Sequence, residues 1–156
     1  MEITGGKLYL FIERVPLRTH LILRKELANG RKVLYVSKNP PVVLENQLSS
    51  EDGSLQLKWL SPRTDKNCIS PMNLTMIEDE ICKFMESHKD GIIVINGLEV
   101  LEMWNGFMPM VKMVERIKEK LVDPEKAILI SLDPKNLVSN NLNRLERVTD
   151  VVVAPG

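Results

Sequence analysis

Ile92-Ile93-Val94-Ile95, with Asp90-Gly91 before it and Asn96-Gly97 after it, is four apolar residues without polar alternation. Such a run reads as a strand buried on both faces. Strands of that kind belong to parallel sheets covered by helices on either side. Leu8-Tyr9-Leu10-Phe11-Ile12, Val33-Leu34-Tyr35-Val36, Ala127 to Leu132 and Val151-Val152-Val153 repeat the pattern. Leu55, Leu57 and Trp59 alternate with polar residues, as in a strand with one wet face. Helical spacing fills the intervals. Thr19 is expected to cap a helix through Asn29, with Gly30 as its left-handed stop. Asn39-Pro40 starts a short one. Ser70-Pro71 or Asn73 opens a helix to about Ser87, with Met76, Ile77, Ile81, Phe84 and Met85 as its apolar stripe and Glu78, Asp79 and Glu80 opposite. Asn105 is expected to cap a long helix from Phe107 to Val122, and Asp133-Pro134 to start another. The alternation predicts an α/β three-layer sandwich with a mainly parallel central sheet.

The chain has 156 residues, 44% hydrophobic and 27% charged, ordinary values for a globular protein, and one domain over 1-156 is expected. Lys plus Arg number 21 and so do Asp plus Glu. That balance disfavours a domain built to coat nucleic acid or anionic membrane. The concentration of Arg14, Arg18, Arg24, Lys25, Arg31 and Lys32 in the first third is the one feature that speaks for nucleic acid. No apolar run approaches the ~20 residues of a membrane span. The first seven residues show no secretory pattern. A cytoplasmic protein without membrane insertion is expected. Cys68 and Cys82 are too far apart for a C-x-x-C motif, and His20 and His88 read as surface residues with no ligand spacing.

In open parallel sheets, ligands bind beyond the carboxyl ends of the strands. The first strand-to-helix turn, Glu13-Arg14-Val15-Pro16-Leu17-Arg18-Thr19-His20, contains no glycine. A phosphate-cradling loop needs glycines for inward N–H groups, plus a Lys and a Ser or Thr. Pro16 lacks an N–H, and Glu13 would repel a phosphate, although Arg14, Arg18 and Thr19 could contact an anion at a helix N-terminus. Asn96 stands where a strand would place a Mg²⁺-linked aspartate, and neutral Asn is a weaker ligand for a hard cation. Glu99, three residues on, could act as a base, and Asp133 reads first as an N-cap. Met103-Trp104-Asn105-Gly106-Phe107-Met108 is denser in large apolar groups than a helix start requires, which would mark a partner site if exposed.

These landmarks carry a family resemblance. Gly6-Lys7-Leu8-Tyr9-Leu10, Gly30 to Ser37 with Pro40, Trp59-Leu60-Ser61, Ile69-Ser70-Pro71, Gly91 to Glu99, Asn105-Gly106-Phe107 and Leu132-Asp133-Pro134 resemble the archaeal family catalogued as domain of unknown function 835. The resemblance runs from Gly6 to about Glu146. It implies a RecA- or KaiC-like core whose phosphate loop, the Walker A motif, has been lost. The family usually has Asp and an aromatic where this chain has Asn96 and Val100. It implies no activity.

The leading expectation is therefore a non-catalytic RecA-like module, with no catalytic residue, metal or cofactor. It would act through protein–protein contacts in a regulatory or scaffold role, with a protein partner or a second copy, through Met103, Trp104, Phe107 and Met108. The alternative is a nucleotide- or anion-binding sensor without hydrolysis, using Arg14, Arg18, Thr19, Asn96, Glu99 and Asp133. A divalent-metal enzyme using Asp133, Glu99 and Glu13 ranks below both, as does a nucleic-acid binder.

Overall fold

The structure, a computed structural model, describes residues 2–48, 53–138 and 140–155. The apolar runs form strands β1 (Lys7–Ile12), β2 (Val33–Ser37), β5 (Ile92–Asn96), β6 (Ala127–Leu132) and β7 (Val151–Val153). Two more, β3 (Leu55–Leu60) and the two-residue β4 (Cys68–Ile69), extend the sheet. Its order is β4-β3-β2-β5-β6-β1-β7, and every pairing is parallel.

Alternation along each strand splits the core in two. Leu8, Leu10, Ile93, Ile95, Ile128 and Ile130 face one way. There they meet α3 (Leu74–Ser87), α4 (Leu98–Asn105), α5 (Phe107–Glu119) and α6 (Leu142–Arg147). Tyr9, Phe11, Val33, Tyr35, Val94 and Leu129 face the other, against α1 (Leu17–Ala28) and α2 (Pro41–Gln47). The predicted α/β sandwich with a parallel sheet is what forms, because solid apolar runs can be satisfied only by a helical layer on each side.

The helix boundaries depart from expectation in several places. α1 begins at Leu17, so Thr19 lies inside its first turn, buried, and is not its cap. Gly30 does take φ +84° after the helix. Asn73 caps α3, its side chain accepting from the Met76 N–H, but Met76 itself is exposed. Asn105 caps nothing. It is the last residue of α4, a helix the sequence hid, and its amide donates to the Pro71 and Leu101 carbonyls. Gly106, at φ +92°, breaks the chain between α4 and α5. Asp133-Pro134 opens only a three-residue 3-10 turn, Pro134–Asn136, and α6 follows separately.

β5 turns directly into α4 through Gly97, at φ +154°. A Cβ there would lie 2.7 Å from Leu60 Cδ1. Gly97→Ala is expected to cost about 1–3 kcal/mol from backbone strain alone, read by urea denaturation.

Candidate functional site

The carboxyl edge of the sheet gathers several of the buried polar groups, among them Glu13, Ser37, Asn96 and Ser131. Register sets the row: Ser37 lies opposite Asn96, Asn96 opposite Ser131, and Ser131 opposite Phe11. One step beyond β1, Glu13 is buried and points back into this row. Its Oε1 accepts from the Arg18 backbone N–H at 2.9 Å. Its Oε2 accepts from Thr19 Oγ1 at 2.5 Å and Ser131 Oγ at 2.7 Å. α1 has no side-chain cap at Pro16, so its first turn would otherwise present unpaired N–H groups. The Glu13 carboxylate satisfies one of them and faces the positive end of the helix dipole. Helix N-termini are ready anion sites, and here the chain's own carboxylate accepts from the Arg18 N–H.

Arg18 completes the seal. Its guanidinium donates to the Ile12 and Ala154 carbonyls and stands 3.9 Å from Glu13 Oε1. Thr19 and Arg18, expected as anion donors, are thus held by the chain's own carboxylate. Beside them His20, buried and not on the surface, shares a 2.6 Å hydrogen bond with the Tyr35 hydroxyl. Desolvation by burial lowers the His20 pKa, Arg24 adds to that, and Glu13 and the Gln47 side chain oppose it. Burial lifts the Tyr35 hydroxyl well above the ordinary phenol range, with the Asn96 amide working the other way and Glu13 reinforcing it.

The remaining predicted residues separate into two groups. Asn96 and Glu99 are buried on the β5 side, where Lys38 Nζ pairs with Glu99 Oε1 at 2.5 Å. Asn96 Nδ2 and Glu99 Oε2 have no hydrogen-bond partner among the described residues. Arg14 is exposed, and Asp133 accepts from the Lys135 N–H. The structure therefore does not bring Arg14, Arg18, Thr19, Asn96, Glu99 and Asp133 around one anion. Nor do Glu13, Glu99 and Asp133 form a cluster that could hold a metal among the described residues. Of the basic first third, Arg24 donates to Gln47, Arg31 to Asp90, Glu26 and Glu125, and Lys25 pairs with Glu2. Sequence reasoning missed Ser131, His20, Tyr35 and Lys38. Ser131 and Lys38 stand at the ends of apolar strands, a signal that becomes specific only through cross-strand register, whereas His20 lies on α1 and Tyr35 within β2.

The apolar candidates lie elsewhere. Glu78 meets Arg116 and Lys120, and Lys120 also reaches Cys82 Sγ at 3.2 Å, so α3 and α5 run side by side in the same direction. The Glu78 hydrogen bond raises the Arg116 pKa. The Asn105–Pro71 bond ties the start of α3 to the α4–α5 break. Met72, Met76, Met103, Trp104 and Met108, on or beside α3, α4 and α5, are exposed, while Phe107 is partly buried against the core.

The strand order and helix placement define a RecA-like α/β protein. A structure of PH0250 from Pyrococcus horikoshii OT3 matches with a TM-score of 0.59 at 13% identity, over 97% of this chain and 83% of that one. The flagellar accessory protein FlaH from Methanocaldococcus jannaschii, itself RecA-like, matches with a TM-score of 0.59 at 18% identity, over 97% and 72%. The chain belongs to the family described as "Protein of unknown function (DUF835)", whose model matches residues 17–148. No curated protein matches the sequence. Among the described residues no helix is long and apolar enough to cross a membrane.

Two outcomes are expected. Glu13→Ala leaves the Thr19 and Ser131 hydroxyls and the Arg18 N–H without their acceptor, and should lower unfolding free energy by about 2–4 kcal/mol in urea. Because the folded-state pKa of His20 lies below its unfolded value of about 6.5, the unfolded chain takes up the proton first. Its contribution is whole above about pH 6.5 and declines as pH falls through the folded value. Urea midpoints should drop across that window, and less so in His20→Gln.

Proposed function

We propose that this protein is a non-catalytic RecA-like module that works through protein–protein contacts, as a regulatory or scaffold component that pairs with a second copy or another protein. The observation that carries this reading is the Glu13 carboxylate at the N-terminus of α1, bonded by Arg18, Thr19 and Ser131. Phosphoryl transfer is catalysed by placing positive charge and inward N–H groups around the transferred group. Here a fixed negative charge holds that place, and Asn96 ends the strand from which a metal-linked carboxylate would project.

The contact surface in this reading is the ridge of Met72, Met103, Trp104 and Met108. Met103 is 66% exposed and Trp104 54%. Methionine side chains adapt to different partner shapes, and an exposed Trp beside them supplies an anchor of the kind that dominates interface energies. Its neighbour Phe107 is partly buried and packs against the core.

Sedimentation velocity on the purified protein should show a dimer that Met103→Glu with Trp104→Glu dissociates. If the purified protein is a monomer, affinity capture should retain a partner that the double variant releases. A strict monomer that captures nothing would defeat the reading. So would Mg²⁺-dependent ATP turnover abolished by Arg18→Ala or Thr19→Ala.

A further inference from the structure

The helices that follow neighbouring strands change face at two places in the sheet. β2 leads to α2 on one face while β5 leads to α4 on the other; β6 leads to α6 on one face while β1 leads to α1 on the other. Such reversals open crevices at the carboxyl edge, where ligands of open α/β sheets bind. At the first, the Lys38–Glu99 pair bridges the two strand exits. At the second, between β1 and β6, there is a crevice of about 640 Å³. Ile12, Glu13 and Arg14 form one wall, and Asp133, Lys135 and Asn136 the other. That volume lies within the range of small-molecule sites.

The charges around it are unevenly spent. Glu13 accepts three hydrogen bonds and is neighboured by the Arg18 guanidinium. Asp133 uses one oxygen, Oδ1, on the Lys135 N–H, and its second oxygen has no hydrogen bond among the described residues. The Arg14 guanidinium and the Lys135 ammonium have no ion pair or hydrogen bond among the described residues. Two free cations on opposite walls suit a group of more than one negative charge, and a guanidinium matches phosphate oxygens in pairs. The second Asp133 oxygen, on the same wall as Lys135, can accept from a hydroxyl but would repel a bare anion.

We propose that the β1–β6 crevice binds a phosphorylated polyol, its phosphomonoester held by Arg14 and Lys135 and a hydroxyl donating to Asp133. The cations in this proposal are Arg14 and Lys135, not the α1 N–H that donates to Glu13, although Glu13 lines the crevice, and the proposal stands independently of the contact reading above.

Titration followed by ¹H–¹⁵N spectra should show ribose 5-phosphate shifting amides at 12–14 and 133–136. Inorganic phosphate should bind more weakly, and ribose not measurably. Arg14→Ala and Lys135→Ala should each weaken ribose 5-phosphate about tenfold, the effect of losing one charge-assisted hydrogen bond. Asp133→Asn, which retains a capping side chain, should narrow the preference over inorganic phosphate. Tighter binding of AMP than of ribose 5-phosphate would extend the site to a base and support the proposal. No shifts at 10 mM ribose 5-phosphate, or equal affinity in the Arg14→Ala/Lys135→Ala double variant, would overturn it. Since neither cation touches the core, spectra of the variants should keep the native dispersion, which separates lost binding from lost folding.

Discussion

A carboxylate taken out of water is costly unless donors replace its hydration, and Glu13 meets that condition with groups from two separate elements. Arg18 and Thr19 come from the first turn of α1, and Ser131 from the end of β6. The same contact gives a helix without a capping side chain an acceptor for one of its free N–H groups. One side chain thereby fixes the exit of β1, the start of α1 and the tip of β6 relative to one another. A glycine-rich loop in this position would leave its amides free for a ligand; this turn, with proline at position 16, uses its own acid instead. The closure of the helix N-terminus is the consequence of this single local choice.

The two reversals in the sheet then differ in character. At β2–β5, Lys38 and Glu99 join across the gap, and the polar atoms behind them are buried. At β6–β1, Arg14 and Lys135 make no ion pair among the described residues, and the gap is open.

Most strands were legible because burial on both faces leaves solid runs such as Ile92 to Ile95, which few other structures tolerate. β4 was not, since two residues carry no period. α4 was hidden because Asn96-Gly97 is good turn chemistry and the helix follows it with no intervening loop. Met76 continues the apolar stripe of α3 in sequence yet lies beyond the edge of the core. For the site, the sequence named Arg18 and Thr19 at the turn after β1 as donors to an anion; in the structure the Arg18 N–H and the Thr19 hydroxyl donate to Glu13, which the sequence offered only as an obstacle to phosphate or as a metal-site carboxylate. The link to Ser131 spans 118 residues and follows from the β1–β6 register, which no local pattern encodes. His20 was misplaced for a related reason: it lies on α1, and its partner Tyr35 lies on β2 beneath it, a contact no local pattern encodes.

The lateral margins of the sheet are brief. β4 has two residues, and β7 has three before Ala154-Pro155, where proline offers no N–H for a further ladder. Strand addition, the commonest backbone-driven route by which sheets recruit other chains, therefore has little to grip here. Under the contact reading proposed above, recognition would fall to side chains on the helical layers, so selectivity should respond to single substitutions there and be largely indifferent to changes along either flank.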